Sequence, residues 1–116
     1  MGKSILRDKS YDFALKIVKL CQVLVSEKKE FVLSKQLLRC GTSIGAQIRE
    51  AEFAQSKADF IHKMSISLKE GNETLYWLEL LKDSDLIAEV EFDTLHNNCK
   101  ELVAMLVSSI KTSKGK

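Results

Sequence analysis

The sequence predicts an all-α fold, an antiparallel up-down-up-down four-helix bundle made of one domain over residues 1–116. Three observations carry that expectation. Apolar residues recur at three- and four-residue spacing along four stretches of roughly 20 to 25 residues each. Proline is absent from all 116 residues, so nothing forces a helix to break. Turn-forming residues gather in short segments between the stretches, and short connections make consecutive helices antiparallel neighbours.

The first helix is expected over residues 10–28, with Ala14, Ile17, Val18, Cys21, Leu24 and Val25 on its apolar face. The cluster Glu27-Lys28-Lys29-Glu30 ends it. The second is expected over 34–56, with the Ser34 hydroxyl as its N-cap and Leu37, Cys40, Ile44, Ile48 and Ala51 as its stripe. Ser56 followed by Asp59 reads as a variant of the capping box, which starts a third helix over 58–82. Its core stripe is read as Phe60, Ile61, Met64, Leu68, Leu75 and Leu78. Asp83-Ser84-Asp85 is turn chemistry, and a fourth helix follows over 89–112 with Leu95, Cys99, Leu102, Val103, Leu106 and Ile110 inside. The tail from Lys111 to Lys116 is polar and expected to fray.

Gly41, Gly45 and Gly71 fall inside helices, where each costs about 1 kcal/mol relative to alanine. In an α2–α3 hairpin, Ser43 and Gly71 lie at one height, so the glycines are read as points of close backbone approach, with a ligand slot as the alternative. The third helix is apolar on two sides: Ile66, Trp77 and Leu80 lie opposite the core stripe, together with Glu73. A helix buried on both faces of so small a bundle needs a second subunit, which makes these four residues the expected oligomer interface. Arg39, Ser43, Glu50 and Glu73 are expected to form a polar network, with ion pairing as its ordinary role.

The cysteines Cys21, Cys40 and Cys99 are far apart and sit at apolar helical positions, which reads as core packing in a reducing compartment. No apolar run is long enough to cross a bilayer and the N-terminus does not read as a signal peptide, so a cytoplasmic protein is expected, with no membrane partner. Catalysis finds little support. Asp59-x-x-His62 and Asp93-x-x-His96 imitate the Glu-x-x-His pairs of di-iron bundles, but the two histidines fall near opposite ends of antiparallel helices, about 20 Å apart. No phosphate-binding loop or nucleophile constellation is present. The expectation is a non-enzymatic protein without cofactor or metal.

Charge is more informative in its distribution than in its total of +2. The bundle end holding both termini and the α2–α3 connection, residues 1–19, 45–70 and 101–116, has 12 Lys and Arg against 7 Asp and Glu. The other end, residues 20–44 and 71–100, has 6 against 9. Repeated around a ring of subunits, Lys3, Arg7, Lys9, Lys111, Lys114 and Lys116 would form a basic rim able to hold phosphates. Base-stacking aromatics do not obviously accompany these lysines.

The segments Gln36-Leu37-x-Arg39, Thr42-Ser43-Ile44-Gly45-Ala46-Gln47-Ile48-Arg49-Glu50-Ala51, Asp59-Phe60 and Glu73-Thr74-x-Tyr76-Trp77-Leu78 together resemble one bacterial family. It is the four helix bundle protein family, first noticed as open reading frames in intervening sequences of 23S ribosomal RNA genes; the accessory variability protein of diversity-generating retroelements is similar. Gln47 stands where the family often has asparagine, and Ala51 where it often has glycine. The resemblance implies a homopentameric barrel of four-helix protomers with no enzymatic activity. In the retroelement branch it implies binding to nucleic acid and to a reverse transcriptase through a basic surface. Expected partners are therefore further copies of the chain and RNA, DNA or a nucleic-acid-processing protein. A scaffold that binds only proteins is the second reading, and a metal-dependent bundle enzyme the remote third.

Overall fold

A computed structural model describes residues 2–115, with side chains from Ile5 onward. Four helices account for almost all of it: α1 Gly2–Ser26, α2 Leu33–Glu52, α3 Lys57–Asp83 and α4 Glu89–Lys114. Contacts between consecutive helices run in opposite directions along the two chains. Ile17 meets Gly41 while Ser10 meets Gly45, and Ser67 bonds to Ile44 while Lys63 pairs with Glu50. Gly71 meets Val103 while Glu79 meets His96. The helices are antiparallel neighbours in chain order, and α1 and α4 touch least. The bundle is 47 Å long and about as wide as it is deep, 21 by 20 Å.

α1 begins eight residues earlier than the sequence suggests. Leu6 continues the stripe of Ser10, Phe13, Ile17, Leu20 and Leu24, so the first two turns have core to bury. Ser10 is not a helix start but a buried residue whose Oγ donates to the Arg7 carbonyl at 2.9 Å. Val25, expected inside, is exposed. Lys29, at φ 56°, turns the chain towards α2.

Ser34 does not cap α2. The helix starts at Leu33, and its first N–H groups are satisfied by a carboxylate from the preceding turn. Glu30 accepts from Ser34 N–H at 2.8 Å, Leu33 N–H at 3.0 Å and Val32 N–H at 3.2 Å. Ser34 Oγ donates back to the Glu30 carbonyl at 2.7 Å. Partial burial pushes the Glu30 carboxyl pKa up, but the N–H groups of Leu33, Ser34 and Val32 together bring it below its usual value. At the other end α2 stops at Glu52, four residues short of the expected boundary, with Phe53 as its C-cap.

α3 starts as its sequence predicts. Ser56 Oγ accepts from Asp59 N–H at 3.0 Å, and Asp59 accepts from Gln55 N–H at 3.2 Å. Its buried line differs from the expected stripe: Met64, Ser67, Gly71, Thr74, Leu78 and Leu81 face the centre, while Phe60, Ile61, Leu68 and Leu75 are half-buried on its flank. The hydroxyls in this line are paired, Ser67 Oγ donating to the Ile44 carbonyl at 2.9 Å and Thr74 Oγ1 to the Glu70 carbonyl at 2.7 Å. Asp85, at φ 61°, forms the expected turn. α4 then continues through Lys114, two residues past the expected end.

Small residues set how closely the helices approach. A Cβ on Gly41 would stand 3.0 Å from Ile17 Cγ2, and one on Gly71 3.0 Å from Val103 Cγ2. Gly41 and Gly45 therefore serve the α1–α2 contact rather than the α2–α3 contact, and Gly71 serves α4 as well as α2. Side chains fill the space that a ligand slot beside these glycines would need. The three cysteines are free and buried. Desolvation, with Cys40 nearby, pushes the Cys21 and Cys99 thiols up to about 12.

Candidate functional site

Antiparallel packing brings the start of α1, the end of α2, the start of α3 and the end of α4 to one end of the bundle. Of the six expected rim cations, Arg7, Lys9, Lys111 and Lys114 have described side chains there; those of Lys3 and Lys116 lie outside the described residues. Arg7 is partly neutralised, by Asp8 at 3.5 Å and Glu52 at 3.8 Å, and Lys9 by Glu101 at 3.2 Å. Lys111 and Lys114 are exposed and carry no ion pair among the described residues. Two of the other cations in this half, Lys57 and Arg49, flank the α2–α3 connection, where residue spacing alone does not distinguish them. Lys57 is exposed and unpaired among the described residues, and Arg49 lies over the Tyr11 ring, 5.5 Å from its centroid. At the opposite end Asp83, Asp85, Glu89, Glu91 and Asp93 are all exposed.

The expected polar network is assembled in part. The Arg39 guanidinium pairs with Glu73 and, at 3.2 Å, with Glu70. Trp77 Nε1–H donates to the same Glu73 carboxylate at 2.9 Å. That indole N–H, working against some desolvation, together with Arg39, holds the Glu73 carboxyl below its usual range. Glu50 belongs elsewhere, pairing with Lys63 at 2.9 Å three turns from Arg39, and Ser43 makes no side-chain hydrogen bond among the described residues. Arg39 is about half exposed, so this is a surface ion-pair cluster.

Trp77 also meets Tyr76 edge-on, with centroids 5.1 Å apart, and packs against its own core. Ile66 and Leu80 are likewise half-buried. The more exposed apolar surface runs along α1 and α2. Tyr11, Leu15 and Val25 share one helical stripe, and Leu38 lies on the α2 stripe that carries Arg49. The most exposed aromatic among the described residues is Phe53, 84% exposed in the α2–α3 turn. Sequence spacing conceals it by placing it inside a helix.

His96 bonds to Glu79 at 3.0 Å, and Glu79 is about 25 Å along α3 from His62. Among the described residues no three His, Cys, Asp or Glu side chains gather closely enough to hold a metal ion. No described helix is long and apolar enough to cross a membrane. A cleft of about 700 Å³ lies at the terminal end among all four helices; Leu6, Ile48 and Met64 form part of its wall, with Ser109, Thr112 and Glu52 alongside.

The chain matches the family model described as 23S rRNA-intervening sequence protein over residues 3–108. No curated protein matches it. Among solved structures it is similar to a protein of unknown function from the S23 ribosomal protein family of Bacteroides thetaiotaomicron. The two are 54% identical with a TM-score of 0.94, over 96% of this chain and 99% of that one.

Proposed function

The chain belongs to the 23S rRNA-intervening sequence protein family, and from that premise we propose that it is a non-enzymatic, self-associating module whose basic end binds nucleic acid. The observation that carries the reading is the separation of charge along the bundle. Lys57, Lys111, Lys114 and Arg49 stand at one end without carboxylate partners among the described residues, and five exposed carboxylates stand at the other. The first end carries the net positive charge, 12 Lys and Arg against 7 Asp and Glu, so it attracts a polyanion more strongly than the other, and gathering several copies multiplies the phosphates that can be neutralised. Self-association is part of the same proposal, with the family's five-membered ring as its form. Tyr11, Leu15, Val25 and Leu38 offer more uncovered apolar area for it than Ile66, Trp77 and Leu80, which already pack partly on their own subunit.

The test is fluorescence anisotropy with a labelled single-stranded RNA across a salt series. Binding should weaken steeply with salt, and Lys111→Gln with Lys114→Gln should weaken it and flatten the slope. For every phosphate that the substituted particle no longer neutralises, the slope of log K against log salt should fall by about 0.7. Binding that ignores both salt and the substitutions refutes the basic-end reading. An exclusively protein partner would instead show as association with no affinity for the RNA at low salt.

A further inference from the structure

We propose that Phe53 is a stacking platform for an unstacked base, so that the basic end prefers single-stranded over double-stranded nucleic acid. The inference rests on the nucleic-acid reading above and adds to it what is recognised. Phe53 is the C-cap of α2 and projects from a four-residue turn, with 84% of its surface uncovered. The turn is well fixed. Phe53 N–H donates to the Glu50 carbonyl at 3.1 Å, Ala54 N–H to the Ala51 carbonyl at 3.1 Å, and Ser56 with Asp59 closes the start of α3. The ring is thus held out at the tip of the bundle by a backbone that has little freedom to fold it inward.

Its surroundings suit a nucleotide. Beside the ring is a shallow depression of about 390 Å³, bounded by Arg49, Glu50, Phe53, Gln55, Asp59 and Lys63. Of the two carboxylates there, Glu50 is paired with Lys63 at 2.9 Å, and Asp59 is turned to the α3 start, where it accepts Gln55 N–H at 3.2 Å and keeps its charge. That leaves the Arg49 guanidinium one turn before Phe53, resting on Tyr11, and the Lys57 ammonium at the start of α3, four residues after it. A base laid on the phenyl ring would lie beside the depression that Arg49 and Gln55 line, with Lys57 four residues further along the chain. An aromatic face flanked by cations takes any base, because every base has a π-face, but only one that is out of a duplex. The next most exposed large apolar side chains, Val90 and Val32, lie at the carboxylate-rich end. Charge complementarity therefore favours a nucleic-acid strand over a protein at Phe53.

The experiment compares the full chain with Phe53→Ala and Phe53→Trp, using fluorescein-labelled 20-nucleotide oligouridylate and a 20-base-pair RNA duplex. Phe53→Ala should lose about tenfold in affinity for the single strand, with its salt slope unchanged and duplex binding unaffected. Phe53→Trp should restore the affinity. Thermal melts of both variants should match the parent, since the ring is exposed. If Phe53→Ala binds the single strand as well as the parent while Lys111→Gln with Lys114→Gln still weakens it, the stacking inference falls and the basic-end reading stands. If the parent binds neither probe at low salt, that reading fails and takes stacking with it. A lower particle mass for Phe53→Ala by light scattering would place Phe53 between subunits and overturn the inference.

Discussion

Removing the Glu30 carboxylate tests how α2 is started. Its oxygens accept the N–H groups of Val32, Leu33 and Ser34 within 3.2 Å, and no side chain of the cap residue Val32 can replace them. Loss of a capping acceptor costs about 1 kcal/mol, and loss of a negative charge beside a helix N-terminus about 0.3–1 kcal/mol more. Glu30→Ala should therefore lower unfolding stability by about 1.5 kcal/mol, which for a chain of this length lowers Tm by about 6 °C. Glu30→Gln, which keeps the shape and one acceptor, should lose about half as much. The pH dependence has a definite sign. Because the folded-state pKa is lowered from 4.5, the carboxylate's contribution is present above that value and fades as pH falls through the folded pKa. Urea unfolding followed by circular dichroism at pH 7 and pH 3 reads both effects. A Glu30→Gln deficit that is as large at pH 3 as at pH 7, or a Glu30→Ala variant as stable as the parent, would refute the capping role.

Two further outcomes follow from the packing. Gly71→Ala gains about 1 kcal/mol of helix propensity but sets a Cβ 3.0 Å from Val103 Cγ2, and overpacking of this kind costs about 1–3 kcal/mol. The variant should be no more stable than the parent, whereas on a Val103→Ala background it should be stabilising. A double-mutant cycle measured by urea unfolding checks this, and additive effects would contradict the close α3–α4 approach. With burial holding Cys21 and Cys99 near 12, only about one part in ten thousand of each is thiolate at pH 8. Ellman's reagent should label the folded protein far more slowly than the protein in urea, where all three thiols react; rapid stoichiometric labelling of the native state would show that they are not core residues.

The four helices are legible in the sequence because their apolar spacing is regular and because two connections use local turn chemistry. Ser56 with Asp59, and Asp83-Ser84-Asp85, mark their boundaries within a residue or two. Other boundaries are set by features that local preference hides. Ser10 resembles a helix start, yet it is a small residue that lets α1 pass close to Gly45. Glu30 caps α2 from four residues before Ser34, the residue whose type suggests a cap. Along α3, hydrophobicity favours Leu68 and Leu75 over Ser67, Gly71 and Thr74. Close helix approach reverses that order, because hydroxyls that bond to nearby carbonyls can be buried at little cost. Residue spacing brings Arg39 and Glu73 together correctly but does not reveal that Lys63 takes Glu50. Phe53 is hidden for a related reason: with α2 extended to residue 56 it reads as one more helical position, and only the early end of the helix puts it in solvent.

The most direct test of the proposed function is the absolute mass in solution, by light scattering on a size-exclusion column, before and after adding single-stranded RNA. The proposal predicts a particle of about five 13.1 kDa chains that gains the mass of the RNA at low salt and loses it at high salt. A monomer whose mass does not change in the presence of RNA would contradict both the assembly and the basic-end interface.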